Sequence, residues 1–302
     1  MKTNDELPSK TERHVLFGSV PPIKGTKATN KKDMPDLQNT ANDFLFPLDR
    51  VGIANVTHPI VVRSHYDPAL QTTVGTFKMT TSLDQHAKGI NMSRLTELLH
   101  DYHLEGFEVT EERLIAFTEE LALRMEQRSS DIDISFPWFF ERESPSLKKI
   151  GMMHADCGIH LSYNDQNEIK INVSLTAAVT TLCPCSKEIS EYSAHNQRGF
   201  VTVEAELAEV LNTKSDWKTL LLEAAETNAS SLLYPVLKRP DEKFVTEGAY
   251  ENPRFVEDLT RLVAADLYEN PSFSSFKVMC RNEESIHQHD AFAEVFVDKR
   301  KG

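Results

Sequence analysis

An α+β fold with antiparallel sheets is predicted by three observations. First, apolar and polar residues alternate with period two in several segments, most clearly Ile169, Ile171, Val173, Leu175 and Ala177 against Lys170, Asn172, Ser174 and Thr176. That is the pattern of a strand with one face buried and one face wet. Second, other segments carry apolar residues three and four apart, as in Leu114, Phe117, Leu121 and Met125, the spacing of one helical face. Third, the order strand, strand, helix, helix, strand, strand can be read twice along the chain, with no sequence repeat to accompany it. Two tandem ββααββ units, with antiparallel sheets and the helices on one face, satisfy that order.

The elements follow in turn. Residues 1–42 carry Pro21-Pro22, Gly25 and the Lys31-Lys32 pair without periodicity and read as an irregular N-terminal arm. Thr57 to Arg63 and Thr72 to Leu83 read as strands. A helix is expected from Met92 to Tyr102, with Asn91 a fair N-cap, and a second from about Thr110. Ile132, Ile134, Phe136 and Trp138 alternate as a strand, and another is expected around Lys149 to Leu161. Asn164-Asp165-Gln166-Asn167 is turn-like. The second half opens on the strand from Ile169, passes through a loop rich in Cys and Ser, and continues with Val201, Val203, Ala205 and Leu207. A helix from about Asp216 buries Trp217, Leu220, Leu221 and Ala224, and is bounded by Pro235 and Pro240. Another starts near Pro253, where proline suits a first turn, with Phe255, Leu259, Leu262, Val263 and Leu267 as its stripe. Two last strands hold Phe276, Val278 and Cys280, then Ala291, Ala293, Val295 and Val297. The division expected is 1–42 as arm, 43–163 as first unit and 164–302 as second.

Bulk properties narrow the class. At 302 residues, with 40% hydrophobic and 26% charged, the chain has an ordinary globular composition. No apolar run approaches the ~20 residues of a membrane span, and Met1 to Arg13 has no apolar stretch of a secretory signal, so a cytoplasmic protein without membrane contact is expected. Four cysteines are too few for a disulfide framework. A net charge of -13 argues against non-specific nucleic-acid binding, though a local basic pocket on an acidic protein can still hold an anionic small molecule.

The chemistry concentrates in three segments. Cys183-Pro184-Cys185 followed by His195 groups two thiols and an imidazole, soft or borderline metal ligands, in a polar stretch that reads as an ordered loop. A bare Cys-x-Cys pair is weak; His195 strengthens it. Ile286-His287-Gln288-His289-Asp290 places two histidines on one face if extended, beside Glu283 and Glu284; carboxylates there can orient imidazoles, and the alternative is a solvated turn. Leu237 to Glu247 is highly charged and reads by itself as a solvated loop, able also to supply a carboxylate ligand and cations for phosphate. Glu257, by position alone, is a surface glutamate in the first turns of a helix. His154 and His160 fall in a strand and read as structural. G-x-G-x-x-G, Walker A and G-x-S-x-G motifs are all missing from the sequence, which leaves dinucleotide, P-loop and serine-hydrolase readings without support.

On these residues the chain closely resembles the type IB GTP cyclohydrolases. The resemblance spans nearly the whole chain, including Phe17-Gly18-Ser19 and Gly89-Ile90-Asn91-Met92-Ser93-Arg94, and is most specific in Leu182–Gly199, Lys238–Asp258 and Arg281–Asp290. It implies the tunnelling fold with two units per chain, and a homotetramer with active sites at subunit interfaces. It implies conversion of GTP and water to 7,8-dihydroneopterin triphosphate and formate, the opening step of pterin and folate synthesis, with a product that can also feed queuosine. By carry-over the metal ligands are Cys183, His195, Glu242 and His287, and Glu257 anchors guanine through its N1 and exocyclic amine. Glu284 and Cys185 are further active-site residues.

The implied set of one thiolate, two imidazoles and one carboxylate suits zinc, and manganese or iron(II) if the site expands. One divalent metal per site and no nucleotide cofactor are expected. A catalytic metal keeps a position for water, so Glu242 is expected to be the labile ligand. Water activated at the metal attacks purine C8, while Glu284 or a histidine, with His289 the candidate shuttle, moves protons. Lys187, Arg198, Lys238, Arg239 and Arg254 are the cations near the motifs for the triphosphate. Two other readings are weighed. A T-fold nitrile reductase would use Cys183 or Cys185 as nucleophile and need no metal, against which the His195, Glu242 and His287 set speaks. A non-catalytic structural metal site is disfavoured, since a chain of this size needs no metal staple.

Overall fold

The computed structural model describes residues 7–22, 25, 27–208 and 216–301. Helix α1 (Lys10–Leu16) is followed by strands β1 (Leu48–Arg63) and β2 (Leu70–Leu83), helices α2 (Ser93–Leu104) and α3 (Glu111–Arg124), and strands β3 (Ser129–Glu143) and β4 (Ile150–Asn164). The second half contains β5 (Ile169–Leu182), α4 (Pro184–Ile189), β6 (Asn196–Leu207), α5 (Trp217–Thr227), α6 (Arg239–Glu251), α7 (Val256–Glu269), β7 (Phe273–Glu283) and β8 (Ala291–Asp298). All eight strands form one antiparallel meander in the order β1 to β8, so the predicted α+β class with an antiparallel sheet is observed.

The strand faces explain the single core. Phe77, Met79, Ile132, Ile134, Trp138, Leu161, Val173, Leu175, Val179, Val201, Val203, Phe276 and Val278 are buried with Leu95, Leu98, Phe117 and Leu121 of the first helices and Leu221, Leu259 and Val263 of the later ones. The middle of the other face of the sheet is largely polar. Lys78, Asp133, Ser135, His160, Asn172, Ser174 and Glu204 line a shallow cavity of about 480 Å³ there. His160, expected to be structural, meets Asp133 through Nδ1 at 2.8 Å.

Several elements differ from the sequence reading, each for a local reason. Strand β1 starts at Leu48, not Thr57, because register shifts at Leu48/Val51 and Ile53/Val56 scramble the alternation that marks a strand. The arm, read as irregular, contains α1, closed by a capping box between Ser9 and Glu12; it buries no side chain, so no apolar stripe announces it. Residues 1–6, 23, 24 and 26 of that arm lie outside the described residues. Helix α5 ends at Thr227, well before Pro235. The segment Leu237–Glu247, read as a loop, is largely α6, with proline in its first turn. Only Asp241 and Ala249 are buried along it, so it presses no long apolar stripe on the sheet and its charged residues dominate the sequence. The cysteine loop likewise holds the short helix α4.

Three buried carboxylates tie the second-half helices to the first half of the chain. Glu226 of α5 receives both arms of Arg142 of β3, at 2.8 and 2.7 Å. Asp216, at the N-cap of α5, accepts the His65 N–H and pairs with Lys218 at 2.6 Å. Asp241 accepts N–H bonds from Ser146, Leu147 and Lys238 at 2.8, 3.0 and 3.0 Å. Burial pushes the Asp216 and Asp241 carboxyls up, but Lys218 in the first case and backbone donors in the second outweigh it and hold both below the ordinary value. The hydrogen bond from His160 does the same to Asp133. A carboxylate with a depressed folded pKa stabilises the fold above its unfolded pKa and ceases to do so as pH falls through the folded value. Stability from Asp133, Asp216 and Asp241 is therefore expected to hold from neutrality down to about pH 4 and to drop below it, which urea unfolding midpoints from pH 7 to pH 3 will check. A midpoint flat to pH 3 would contradict it. Among the described residues no helix is long and apolar enough to cross a membrane.

Candidate active site

Cys183 directly follows β5 and serves as the N-cap of α4, its Sγ accepting the Ser186 N–H at 3.5 Å. The excursion from Cys183 to His195 is closed on itself: the Cys183 N–H donates to the His195 carbonyl at 3.2 Å. The Ser186 hydroxyl donates to the Cys183 carbonyl at 3.1 Å and accepts the His195 N–H at 3.3 Å. Thiol and imidazole thus sit on the adjacent ends of paired strands, where Leu182 faces Asn196. Both residues are half-buried.

The β7–β8 connection comes to the same end of the sheet because β6 pairs with β7. The Ser285 hydroxyl meets His195 Nδ1 at 2.8 Å, which leaves Nε2 as the nitrogen for another ligand. Glu284 is half-buried and accepts a hydrogen bond from the Gln197 amide. His287 and His289 are exposed and stack on each other, ring centroids 5.2 Å apart. Arg281 clasps the base of this connection, reaching Glu283 at 3.2 Å and Asp290 at 2.6 Å.

Two helices approach from the side. The Arg254 N–H donates to the Leu182 carbonyl at 3.0 Å, fixing the start of α7 beside Cys183, and its Nε reaches the Asn228 carbonyl at 3.2 Å. Glu257 lies in the first turn of α7, exposed. Glu242 lies in the first turn of α6, exposed, next to the anchored Asp241. Lys238 is the N-cap of that helix and Arg239 its first residue, both exposed. Lys187 donates to the Tyr250 carbonyl at 2.5 Å and lies over its ring, so this cation is engaged by α6. Arg198 is exposed on β6, and Cys185 is exposed on α4.

Cys183, His195 and Glu284 are therefore brought to one end of the sheet by hydrogen bonds, whereas Glu242 and His287 stand on neighbouring segments. Among the described residues no three His, Cys, Asp or Glu side chains come close enough to hold a metal. The donor chemistry nonetheless fits one: a half-buried cysteine sulfur stands beside an imidazole whose other nitrogen is held by a hydroxyl, the orientation that a metal-bound histidine needs. Sequence reasoning missed Gln197, Ser285 and Asp241. Gln197 had a readable signal, because extending the inward alternation of Val203 and Val201 back through Gly199 puts a polar residue on the buried face.

A one-sheet antiparallel α+β framework defines the class. It is shared with the crystal structure of uricase from Arthrobacter globiformis, which aligns with a TM-score of 0.52 at 12% identity over 84% of this chain and 94% of that one. Sequence takes the assignment further. The profile of the "Type I GTP cyclohydrolase folE2" family matches residues 34–293, and the chain belongs to that family. It is 62% identical to "GTP cyclohydrolase FolE2" of Halalkalibacterium halodurans, over 99% of this chain and 100% of that protein. It is 57% identical to the protein of the same name from Oceanobacillus iheyensis, over 97% and 98%.

Proposed function

We propose that the protein is a GTP cyclohydrolase, converting GTP and water to 7,8-dihydroneopterin triphosphate and formate at the head of pterin and tetrahydrofolate synthesis. The observation that carries this reading is 62% identity along the full length of a GTP cyclohydrolase FolE2. Cys183, His195, Glu242 and His287 would hold one divalent transition metal (zinc, manganese or iron(II)), which when bound supplies an acidified water for attack at purine C8.

The chain's own groups do the rest. Glu257 receives the guanine N1–H and exocyclic amine. Glu284, or His289 as shuttle, takes and returns the protons that ring opening and formate loss require. Arg198, Lys238 and Arg239, exposed at the rim, face the triphosphate, while Lys187 holds α6 in place. Cys185 lies two residues beyond Cys183 and contributes to the pocket wall. We read the chain as an arm (1–42) and two tunnelling-fold units (43–163 and 164–302) that assemble as a homotetramer in the cytoplasm. Exposed Phe292 and Phe296 on β8 and Leu48 on β1, at the two free edges of the sheet, support assembly through those edges.

The test is chelated protein incubated with GTP, with and without zinc, manganese or iron(II), following formate release and the fluorescence of the oxidised pterin. Both products are expected only when metal is restored. Neither product from folded protein under any metal would overturn the reading and return the cysteine-nucleophile nitrile reductase to contention.

A further inference from the structure

The ends of β5, β6 and β7 share a buried polar layer directly behind the site. Thr181, Gln197 and Asn282 lie on adjacent strands and are 0%, 7% and 2% exposed. Gln197 Oε1 accepts from the Thr181 hydroxyl at 3.1 Å and from the Asn282 amide at 3.5 Å. The Glu284 carboxylate oxygen accepts, so Gln197 turns its Nε2 toward it and its carbonyl oxygen toward the Thr181 hydroxyl and the Asn282 amide. Its Nε2 points outward and donates to Glu284 Oε1. The layer is closely packed: a Cβ on Gly199 would come within 3.0 Å of both Asn282 Oδ1 and Val179 Cγ2. Glycine at 199 is what lets Asn282 approach.

We infer that Gln197 is a positioning residue for the reaction: it fixes the Glu284 carboxylate, and Thr181 and Asn282 fix Gln197. The inference rests on the proton-transfer role given to Glu284 above. Its physical content is directional. A buried amide donor can serve only an acceptor oxygen, so it holds Glu284 at one place and leaves the other oxygen to face the substrate. Without it, a carboxylate on a connection between strands is free to rotate, and misplacement of a proton-transfer group by about 1 Å costs on the order of 100-fold in rate.

The test compares wild type, Gln197→Met, Glu284→Gln and the double variant, each with metal content, GTP KM, kcat and thermal midpoint measured. Methionine keeps length and apolar packing but removes the donor. Gln197→Met is expected to keep its metal and its KM and to lose roughly 10- to 100-fold in kcat. Added to Glu284→Gln, it is expected to cost no more than about 2-fold further, because the group it positions is already disabled. Unchanged kcat in Gln197→Met, or a full multiplicative loss in the double variant, would overturn the inference while leaving the cyclohydrolase reading intact. Wild-type turnover in Glu284→Gln would overturn both the role of Glu284 and the inference. Should Gln197→Met fail to fold, Thr181→Val takes its place: it frees the amide to flip without removing it, and a kcat loss of the same kind, smaller in size, is expected. Unchanged kcat there overturns the inference.

Discussion

Cys183→Ala is expected to abolish metal retention and to lower GTP turnover by more than the 10- to 100-fold that loss of an outer-shell partner costs, while the protein stays folded. The thiol makes one long hydrogen bond, with the Ser186 N–H at 3.5 Å, and the residue is half-buried. As the N-cap of α4, its removal costs about 1 kcal/mol, small against the ~5–15 kcal/mol that holds a domain together. The backbone closure from Cys183 to the His195 carbonyl needs no side chain and survives. Cys185→Ala, altering an exposed thiol with no strand-end partner, should do less. Metal content after dialysis, formate release and thermal midpoint, taken together, check this. A structural metal would behave otherwise: its loss would unfold the protein. Retained metal with retained turnover in Cys183→Ala would remove the thiol from the ligand set.

What the sequence disclosed follows the physics of each element. Strands β2 to β8 show in the sequence because half-buried antiparallel strands alternate by necessity, and α3, α5 and α7 because each presses an apolar stripe on the sheet. Helices α1, α4 and α6 were invisible for the converse reason. They are held by caps, prolines and one buried aspartate rather than by an apolar face. Site residues were legible as motifs, since thiols and histidines are rare enough for spacing to be informative. Their supports were not: Ser285 and Thr181 are common residues whose roles exist only once β5, β6 and β7 lie side by side. The anchoring of Asp241, which sets where its neighbour Glu242 stands, was equally hidden, because its contacts with Ser146 and Leu147 span more than ninety residues of chain.

Breaking the ion pair between Arg142 and Glu226 is expected to cost the fold a large share of its stability. The two side chains are 9% and 6% exposed and meet through two parallel hydrogen bonds. Removing one partner of such a pair leaves an uncompensated buried charge, a loss of about 3–5 kcal/mol. Arg142→Met should therefore lower the urea midpoint sharply, and replacing both partners, as Arg142→Met with Glu226→Leu, should recover most of it. The pH dependence supplies a second check. Burial raises the Glu226 carboxyl, and Arg142 offsets part of that rise. A raised folded pKa means that stability is fullest below the unfolded value, near pH 4.3, and is lost as pH climbs through the folded one. Without Arg142 the carboxyl rises further, so the deficit of Arg142→Met against wild type should be small at pH 5 and grow toward pH 8. A deficit independent of pH would mean that packing, not charge, accounts for the effect. The consequence reaches the active end of the sheet. Helix α5, which Glu226 anchors, leads into Ser230, whose hydroxyl accepts the Leu182 N–H at 3.0 Å, one residue before Cys183. A change that lets the C-terminal end of α5 drift from β3 is thus expected to loosen the strand end that carries the thiol as well as the junction between the two halves.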